Sequence, residues 1–210
     1  MSRPKIGTRT SIKAIRRRDV QRAAYDVVVE RGFGGATISR VAEKLGMSRG
    51  TVYQYFPDKH VLFETAVRYT NAQLSEAVIE RMQLAATPRE RLQAIIEGTF
   101  SERVFDAETA RFWLSFCSEV ANIPRFARLQ KVLFSRMRTN LLHELKQLSS
   151  VDEASCIAEE TSIYLDGLWM RRGLDPDGMK PDKAISLASN FLETRLTRRL
   201  KIKDGISPSR

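Results

Sequence analysis

Apolar residues recur three and four positions apart along almost the whole 210-residue chain, and this spacing constrains the fold more than any other feature. It gives a helix one continuous apolar face, whereas a half-buried strand needs strict alternation. No segment sustains such alternation, and no Asn-Gly or Asp-Gly turn joins two alternating apolar runs. The sequence therefore predicts an all-α protein.

Capping residues, glycines and prolines divide this pattern into about nine helices. Two capping boxes, Thr87 to Glu90 and Ser150 to Glu153, mark clear helix starts in the second half of the chain. Residues 1–14 and 201–210 are polar and are expected to be a flexible basic arm and a flexible tail. The predicted helices cover about 16–31, 38–45, 49–55, 58–82, 88–104, 107–121, 124–148, 150–172 and 182–199.

Residues 33–63 contain two short helical patterns separated by Gly46, Met47 and Ser48. The first pattern carries the small residue Ala42 on its apolar face, so the second helix can cross it closely. Two short helices that cross at a tight turn form a helix-turn-helix, whose second helix enters the major groove of DNA. The sequence indicates such a unit over residues 15–60.

The second of these helices differs in composition from a core helix. Only Val52 and Phe56 are spaced to anchor it inward, which leaves a polar and aromatic outer face. Arg49 can donate two hydrogen bonds to guanine, and Gly50 allows the backbone to approach DNA closely. The alternative is an ordinary pair of amphipathic helices with a solvated polar face, and the sequence pattern alone leaves both interpretations open.

Positive charge is concentrated at the same end of the chain. Residues 1–70 hold 14 Lys and Arg against 6 Asp and Glu, whereas the remaining 140 residues hold 21 against 19. Such asymmetry favours a polyanionic partner. Arg3, Lys5, Arg9 and the run 16–18 are candidates for additional backbone or minor-groove contacts, and a solvated arm is the alternative.

The segment ATISRVAEKLGMSRGTVYQYFPDKHVLF, residues 36–63, resembles the DNA-binding signature of the TetR family of repressors. This resemblance implies base contacts from the residues at the start of the second helix and phosphate contacts from residues around it. Ser39 matches a position that reads a base in some members, although its side chain is short. The implied DNA-binding residues are Thr37, Ser48, Arg49, Gly50, Thr51, Tyr53, Gln54, Tyr55 and Lys59.

The rest of the chain resembles the BetI-type branch of that family, which controls glycine-betaine synthesis from choline. The similar segments are IRRRDV at 15–20, RFWLSF at 111–116 and LDGLWMRRGL at 165–174. The resemblance implies a small-molecule inducer, with choline or betaine aldehyde as the candidates. Aromatic rings together with a carboxylate suit a quaternary ammonium ion through cation–π attraction. The candidate ligand-binding residues are Trp113, Phe116, Asp166 and Trp169, and a plain hydrophobic core is the alternative for the aromatic residues.

The family resemblance also implies a homodimer built on the last two long helices. In the final helix, four apolar residues have a spacing that suits such a seam, and an intramolecular core is the rival explanation. They are Ile185, Ala188, Leu192 and Leu196.

Several functions are disfavoured by what the sequence lacks. No Gly-rich phosphate loop or nucleophile motif is present, and two His and two Cys are too scattered for a metal site, so we expect no enzyme, no cofactor and no metal. No run reaches the ~20 apolar residues of a membrane span, and no signal peptide is evident, which indicates a cytoplasmic protein.

The resulting hypothesis is a ligand-responsive repressor with a DNA-binding domain at 15–60 and a ligand-binding and dimerisation domain at 61–200. One alternative is the same fold sensing a drug, a fatty acyl thioester or another metabolite. Another is a nonspecific architectural DNA-binding protein.

Overall fold

The structure, a computed structural model, describes residues 9–175 and 177–203. Within these ranges every regular element is a helix, which confirms the all-α prediction and the count of nine. The helices are α1 (Arg9–Gly35), α2 (Ile38–Lys44), α3 (Arg49–Tyr55), α4 (Lys59–Met82), α5 (Pro88–Thr99), α6 (Ala107–Val120), α7 (Pro124–Leu145), α8 (Val151–Leu174) and α9 (Pro181–Lys203).

The helix starts follow the predicted caps. Thr37, Ser48 and Asp58 each accept a hydrogen bond from the backbone N–H three residues later, at the starts of α2, α3 and α4. Both capping boxes, at Thr87 and Ser150, are formed. Gly46 adopts a φ of 62°, the left-handed conformation that lets the chain turn sharply between α2 and α3.

The outer helix ends differ from the predictions. α1 begins at Arg9, so residues 9–14 are helical where the sequence predicted an arm, because the polar stretch holds no strong helix breaker after Pro4 and Gly7. The kink at Gly32, with a φ of 66°, lies where the first helix was expected to end. α9 extends to Lys203, into the predicted tail. Predictions for 1–8 and 204–210 lie outside the described residues.

The clearest internal difference is the end of α5, which falls short of the predicted limit. α5 stops at Thr99 rather than 104, and the carbonyl of Ser101 accepts from the N–H groups of Val104 and Phe105 in the turn that follows. That turn places Phe105 edge-on to Phe100, with ring centroids 4.9 Å apart. Both rings are buried there, and their contact stabilises the turn.

Two hydrophobic clusters form the interior. The first unites α1 to α4 with Phe112 and Phe116 from α6 and Phe126 from α7. The second lies among α4, α5, α7, α8 and α9. α1 to α4 thus share their core with α6 and α7. A movement of α6 would therefore act directly on α1.

Candidate DNA-binding helix and ligand cavity

The short helix α3 is fixed from inside and open outside. Val52 and Phe56 are fully buried, as the sequence predicted for its two anchors. On the outer side Arg49, Gly50 and Gln54 are exposed, and Tyr53 is 51% exposed. Thr51 and Tyr55 are half-buried beside the anchors. The helix therefore presents its polar and aromatic face to solvent, as a groove-reading helix must.

The first turn of α3 keeps its polar groups close to the outer surface. Ser48 Oγ lies 2.9 Å from Thr51 Oγ1 and accepts from the Thr51 N–H at 3.1 Å. This pairing occupies the Thr51 hydroxyl and leaves its methyl group available for apolar contact. A Cβ on Gly50 would meet only Ser48 Oγ, at 3.7 Å, so nothing within the described chain requires a glycine there.

Residues from three elements line one shallow depression at this surface. It brings together Thr37 before α2, Arg49 and Tyr53 of α3, and Lys59 at the start of α4. Arg49 donates a long hydrogen bond of 3.4 Å to Ser39 Oγ, so its guanidinium is only weakly tethered. His60 lies in the same depression and was not singled out by the sequence patterns. The geometry gathers donors that suit both base edges and phosphates.

Arg17 of α1 supports this surface from behind. Its guanidinium carbon lies 5.2 Å from the centroid of the Phe56 ring, within range of a cation–π contact. Phe56 anchors α3 to the core. The contact with Arg17 therefore helps to hold α3 in place.

A separate cavity of about 210 Å³ lies among the helices α4 to α8. Trp113, Asp166 and Trp169, three of the four sequence-based candidates, line it. Both tryptophans are half-buried, and they also pack on the core: Trp113 on Phe116, and Trp169 edge-on to Phe105 at 4.9 Å. Each ring therefore borders the cavity on one side and packs against the core on the other.

Phe116 is the candidate that the structure places elsewhere. It is fully buried and packs against Phe33 and Phe126 in the core shared with α1. α6 lies between that core and the cavity. Trp113 and Phe116 are three positions apart on α6, so their side chains point about 60° apart around the helix axis. This difference places Trp113 beside the cavity and Phe116 in the core. The structure therefore places Phe116 in the shared core and not in the lining of the cavity.

Asp166 brings a carboxylate to an otherwise mainly apolar and aromatic cavity. The residue as a whole is exposed, yet surrounding protein atoms desolvate its carboxylate enough to raise its pKa to about 6. Cys117 is the only other titratable side chain among the described lining residues. Desolvation, and then the nearby Asp166, raise the pKa of that thiol. The cavity thus offers one carboxylate whose ionised form is poorly solvated.

The sequence patterns missed the lining contributed by α4, α5 and α7. Among these residues Gln130 carries a buried Oε1 atom, for which the described part of the chain offers no hydrogen-bond partner. Its position resembles any other inward position of an amphipathic helix, so no sequence signal distinguished it. The missed lining residues are Asn71, Leu74, Thr99, Gln130, Leu133, Phe134 and Met137.

Helix α6 contacts both the cavity and helix α1. On one side Trp113, together with neighbouring residues, lines the cavity. On the other side Ser115 Oγ accepts from the Phe33 N–H at 2.8 Å, beside the kink in α1. The Tyr25 hydroxyl lies 3.0 Å from Thr109 Oγ1, and burial raises the pKa of Tyr25 to about 12. One rigid element therefore contacts both regions.

The predicted dimer seam on α9 lies mainly inside the chain. Ala188, Leu192 and Leu196 are buried in the second hydrophobic cluster, and Ile185 is half-buried against it. The intramolecular core, the rival explanation, accounts for these residues. Their spacing identified an apolar face but could not show which surface covers it.

Across the described ranges, none of the helices is both long enough and apolar enough to cross a membrane.

Two family models together match most of the chain. Residues 21–66 match the bacterial regulatory proteins of the tetR family, and residues 88–197 match the C-terminal domain of BetI-type transcriptional repressors. The first match contains α2 and α3, and the second contains most of the cavity.

Curated relatives extend the similarity over nearly the full length. The HTH-type transcriptional regulator BetI of Pseudomonas paraeruginosa PA7 is 32% identical over 197 residues, which cover 93% of this chain and 98% of the relative. The HTH-type transcriptional regulator BetI 1 of Chromohalobacter salexigens is 34% identical over 196 residues, covering 93% and 95% of the two chains.

Solved structures agree on the fold. A transcriptional regulator from Pseudomonas aeruginosa PAO1 superposes with a TM-score of 0.79 at 23% identity, covering 89% of this chain and 94% of that one. A regulator from Saccharomonospora viridis, solved in complex with choline, has a TM-score of 0.70 at 23% identity, with coverages of 86% and 96%. The family models and the curated relatives show that the chain belongs to the TetR family of DNA-binding transcriptional regulators, in its BetI-type group of repressors.

Proposed function

We propose that this regulator is a homodimeric repressor that leaves its operator when a small organic cation, such as choline or betaine aldehyde, enters the cavity. The observation that carries the proposal is the convergence of Trp113, Trp169 and Asp166 on one cavity behind an exposed recognition helix. Quaternary ammonium ions bind where aromatic faces and a carboxylate meet. The regulator would act in the cytoplasm, where its operator is accessible.

The size of the cavity favours a compact ligand. About 210 Å³ is below the range of roughly 300–1,000 Å³ that drug-sized ligands occupy. A fatty acyl thioester or a large drug, the alternative ligands, would require the helices to separate. The choline bound to the Saccharomonospora viridis regulator is compact and cationic, which supports the same class for this chain.

For DNA binding we propose the assignment that the family resemblance implied. Arg49, Gly50, Thr51 and Tyr53 approach bases, while residues around them hold phosphates. The phosphate-binding group comprises Thr37, Ser48, Gln54, Tyr55 and Lys59. Each subunit places α3 in a major groove, and the half-sites lie about one helical turn apart.

A stripe of exposed residues on α8 supports the dimer. Ile163, Gly167, Met170 and Leu174 follow one another at intervals of four, three and four, and the three with apolar side chains are 53–68% exposed. A Cβ added to Gly167 would meet no atom of the described residues within 4 Å. An exposed apolar stripe crossed by a glycine suits close packing against the same helix of a second copy.

Gly167→Glu is expected to convert the dimer into a folded monomer at micromolar concentration. The carboxylate would be buried in the stripe at a cost of several kcal/mol, whereas the isolated helix favours Glu over Gly. Sedimentation velocity measures the oligomeric state. Ile79→Glu, at a position 52% exposed on α4, is the matched control and should remain dimeric. A Gly167→Glu protein that sediments as a dimer would place the interface elsewhere.

Helix α6 is proposed to transmit ligand binding to α1, along with α4, which joins the two regions in sequence. A ligand that draws Trp113 toward the cavity also displaces Ser115 and Thr109, which hold α1. The two α3 helices of the dimer then no longer match the spacing of the operator half-sites. Such a shift requires that the ligand bind the two conformations with different affinity.

Replacing Ser115 with Ala should uncouple the two sites without abolishing either. Operator affinity and ligand affinity should stay within about threefold of wild type, while ligand-induced loss of operator affinity, typically 5- to 150-fold, should shrink several-fold. Ser118→Ala is the control, because the Ser118 hydroxyl donates within α6, to the Ser115 carbonyl. Full ligand response in the Ser115→Ala protein would show that this contact is not used.

Fluorescence anisotropy with DNA from upstream of the protein's own gene tests the DNA-binding part of the proposal. At physiological salt, specific affinity should exceed that for scrambled DNA by at least about a thousandfold. Equal affinity for both DNAs, with a steep salt dependence, would instead indicate the architectural alternative.

A further inference from the structure

The depression that gathers the proposed DNA-binding residues continues beyond the helix-turn-helix. Asp58 and His60, which line it, also line a second depression. The opposite wall of the second depression includes Pro124, Arg125 and Arg128, at the start of α7. α7 belongs to the residues that match the C-terminal domain of BetI-type repressors. A surface of that domain therefore adjoins the proposed DNA-binding surface.

Helix α7 is strongly basic along most of its length. Its first acidic residue is Glu144, and five Lys and Arg precede that residue within the helix. They are Arg125, Arg128, Lys131, Arg136 and Arg138. Residues 71–210 as a whole hold 21 Lys and Arg against 19 Asp and Glu, so this concentration is local and not a general property of the body. A local excess of positive charge favours a polyanionic partner.

The two arginines of the second depression differ in their partners. Arg125 Nε lies 2.6 Å from Glu64 Oε2, and Arg125 Nη1 lies 4.0 Å from Asp58 Oδ2. Arg128 is exposed and forms no ion pair within the described part of the chain. Arg125 therefore holds the start of α7 against α4, while the guanidinium of Arg128, one turn later, stays available to another anion.

The start of α7 adds a partial positive charge of its own. Pro124 is the first residue of the helix, and the preceding Ile123 forms no side-chain cap hydrogen bond. The aligned peptide dipoles of a helix favour an anion near its N-terminus. Because Ile123 and Pro124 line the second depression, this charge acts beside Arg128.

We propose that Arg128 binds a phosphate of the DNA backbone beside the half-site that α3 reads, so that the operator contact extends from the helix-turn-helix onto α7. This inference rests on the proposed function, in which α3 enters the major groove and Lys59 meets a phosphate. Each strand of the duplex carries a phosphate about every 3.4 Å along the axis, so a basic surface that adjoins the first contact meets further phosphates. Such a contact adds affinity but reads no base.

Arg128→Gln removes the charge from an exposed side chain. Operator and scrambled DNA should both bind about three- to fivefold more weakly, and the slope of log affinity against log salt should fall by about one. Arg136→Gln, at an exposed position about 12 Å further along α7, is the matched control and should keep the wild-type slope. Thermal melting by circular dichroism verifies that both variants are folded.

Uncharged methylphosphonates locate the contact on the DNA. Each phosphate of the operator and its flanks is replaced in turn, and the affinity is measured by fluorescence anisotropy. Wild-type protein and the Lys59→Ala variant should both lose affinity at the phosphate that Arg128 binds. Arg128→Gln should be insensitive to replacement of that phosphate to within about twofold, because the interaction is already absent.

The outcomes separate this inference from the proposed function. Three results would each overturn the role of Arg128: a wild-type salt slope in folded Arg128→Gln protein, an equal loss of slope in Arg136→Gln, or a methylphosphonate profile that Arg128→Gln leaves unchanged. Selective operator binding and the effect of Lys59→Ala would then still stand. Wild-type protein that shows no preference for the operator overturns the proposed function and this inference together.

Discussion

Arg49→Ala is expected to weaken operator binding by about 1–3 kcal/mol and to relax the preference for one base pair in each half-site. Arg49 lies at the exposed start of α3, where a long hydrogen bond of 3.4 Å to Ser39 holds it weakly, so its guanidinium can turn to the two acceptors of a guanine. Anisotropy titrations against an operator and a set of single-base-pair variants measure both effects.

Lys59→Ala is the informative comparison. Lys59 lies at the start of α4 in the same depression, where it is placed to meet a phosphate. Its loss should weaken all sequences alike and reduce the slope of log affinity against log salt by about one. If both variants bind the operator as wild type does, then α3 is not the helix that enters the groove.

Asp166→Asn should produce the largest change in ligand response. Removing the carboxylate deprives the cation of its counter-charge, and we expect the affinity for choline to fall by about 2 kcal/mol or more, roughly 30-fold. Operator binding without ligand should be unchanged. Asp175→Asn, at the exposed end of α8 and outside the cavity lining, is the matched control.

The same carboxylate gives a pH dependence with a definite sign. Its pKa of about 6 means that protonation below pH 6 removes the charge that attracts the cation, so choline affinity should fall about tenfold for each pH unit below that point. Cys117 does not contribute, because its raised pKa keeps it neutral in this range. The Asp166→Asn protein should lose the pH dependence altogether. An affinity that stays flat from pH 5 to pH 8 in wild-type protein would contradict the role of Asp166.

The raised pKa also predicts a cost to stability. A carboxyl group that binds its proton more tightly in the folded state contributes stability that is lost as the pH rises through its folded pKa. Near pH 8 the unliganded Asp166→Asn protein should therefore unfold at a higher temperature than wild type. Charge retained for ligand binding at the expense of stability is typical of functional sites.

Local signals explain most of what could be predicted from the sequence. Capping residues such as Thr37, Ser48 and Asp58 act within one helical turn, so they locate helix starts without knowledge of the fold. The anchors Val52 and Phe56 could be assigned because α3 is short and has a single apolar side. Family resemblance then supplied the residues that we propose as DNA contacts.

The sequence located the helices but did not show which neighbouring surface each side chain faces. Phe116 and Trp113 lie on one helix between two apolar regions, and spacing cannot decide which region each faces. Leu192 and Leu196 have the spacing of a seam but pack inside the chain. Gln130 looks like any inward polar residue until the atoms around its oxygen are known. In each case the deciding information is which helix lies opposite, and this is a property of the tertiary structure.

Release of a preformed operator complex by ligand tests the central claim most directly. The complex of the protein with fluorescent DNA from upstream of its own gene is titrated with choline at physiological salt, with scrambled DNA as the reference. The account predicts selective binding to the upstream DNA and loss of anisotropy as choline saturates the cavity, with the same midpoint as tryptophan quenching. A selective complex that remains intact when quenching shows the cavity to be full would contradict the account.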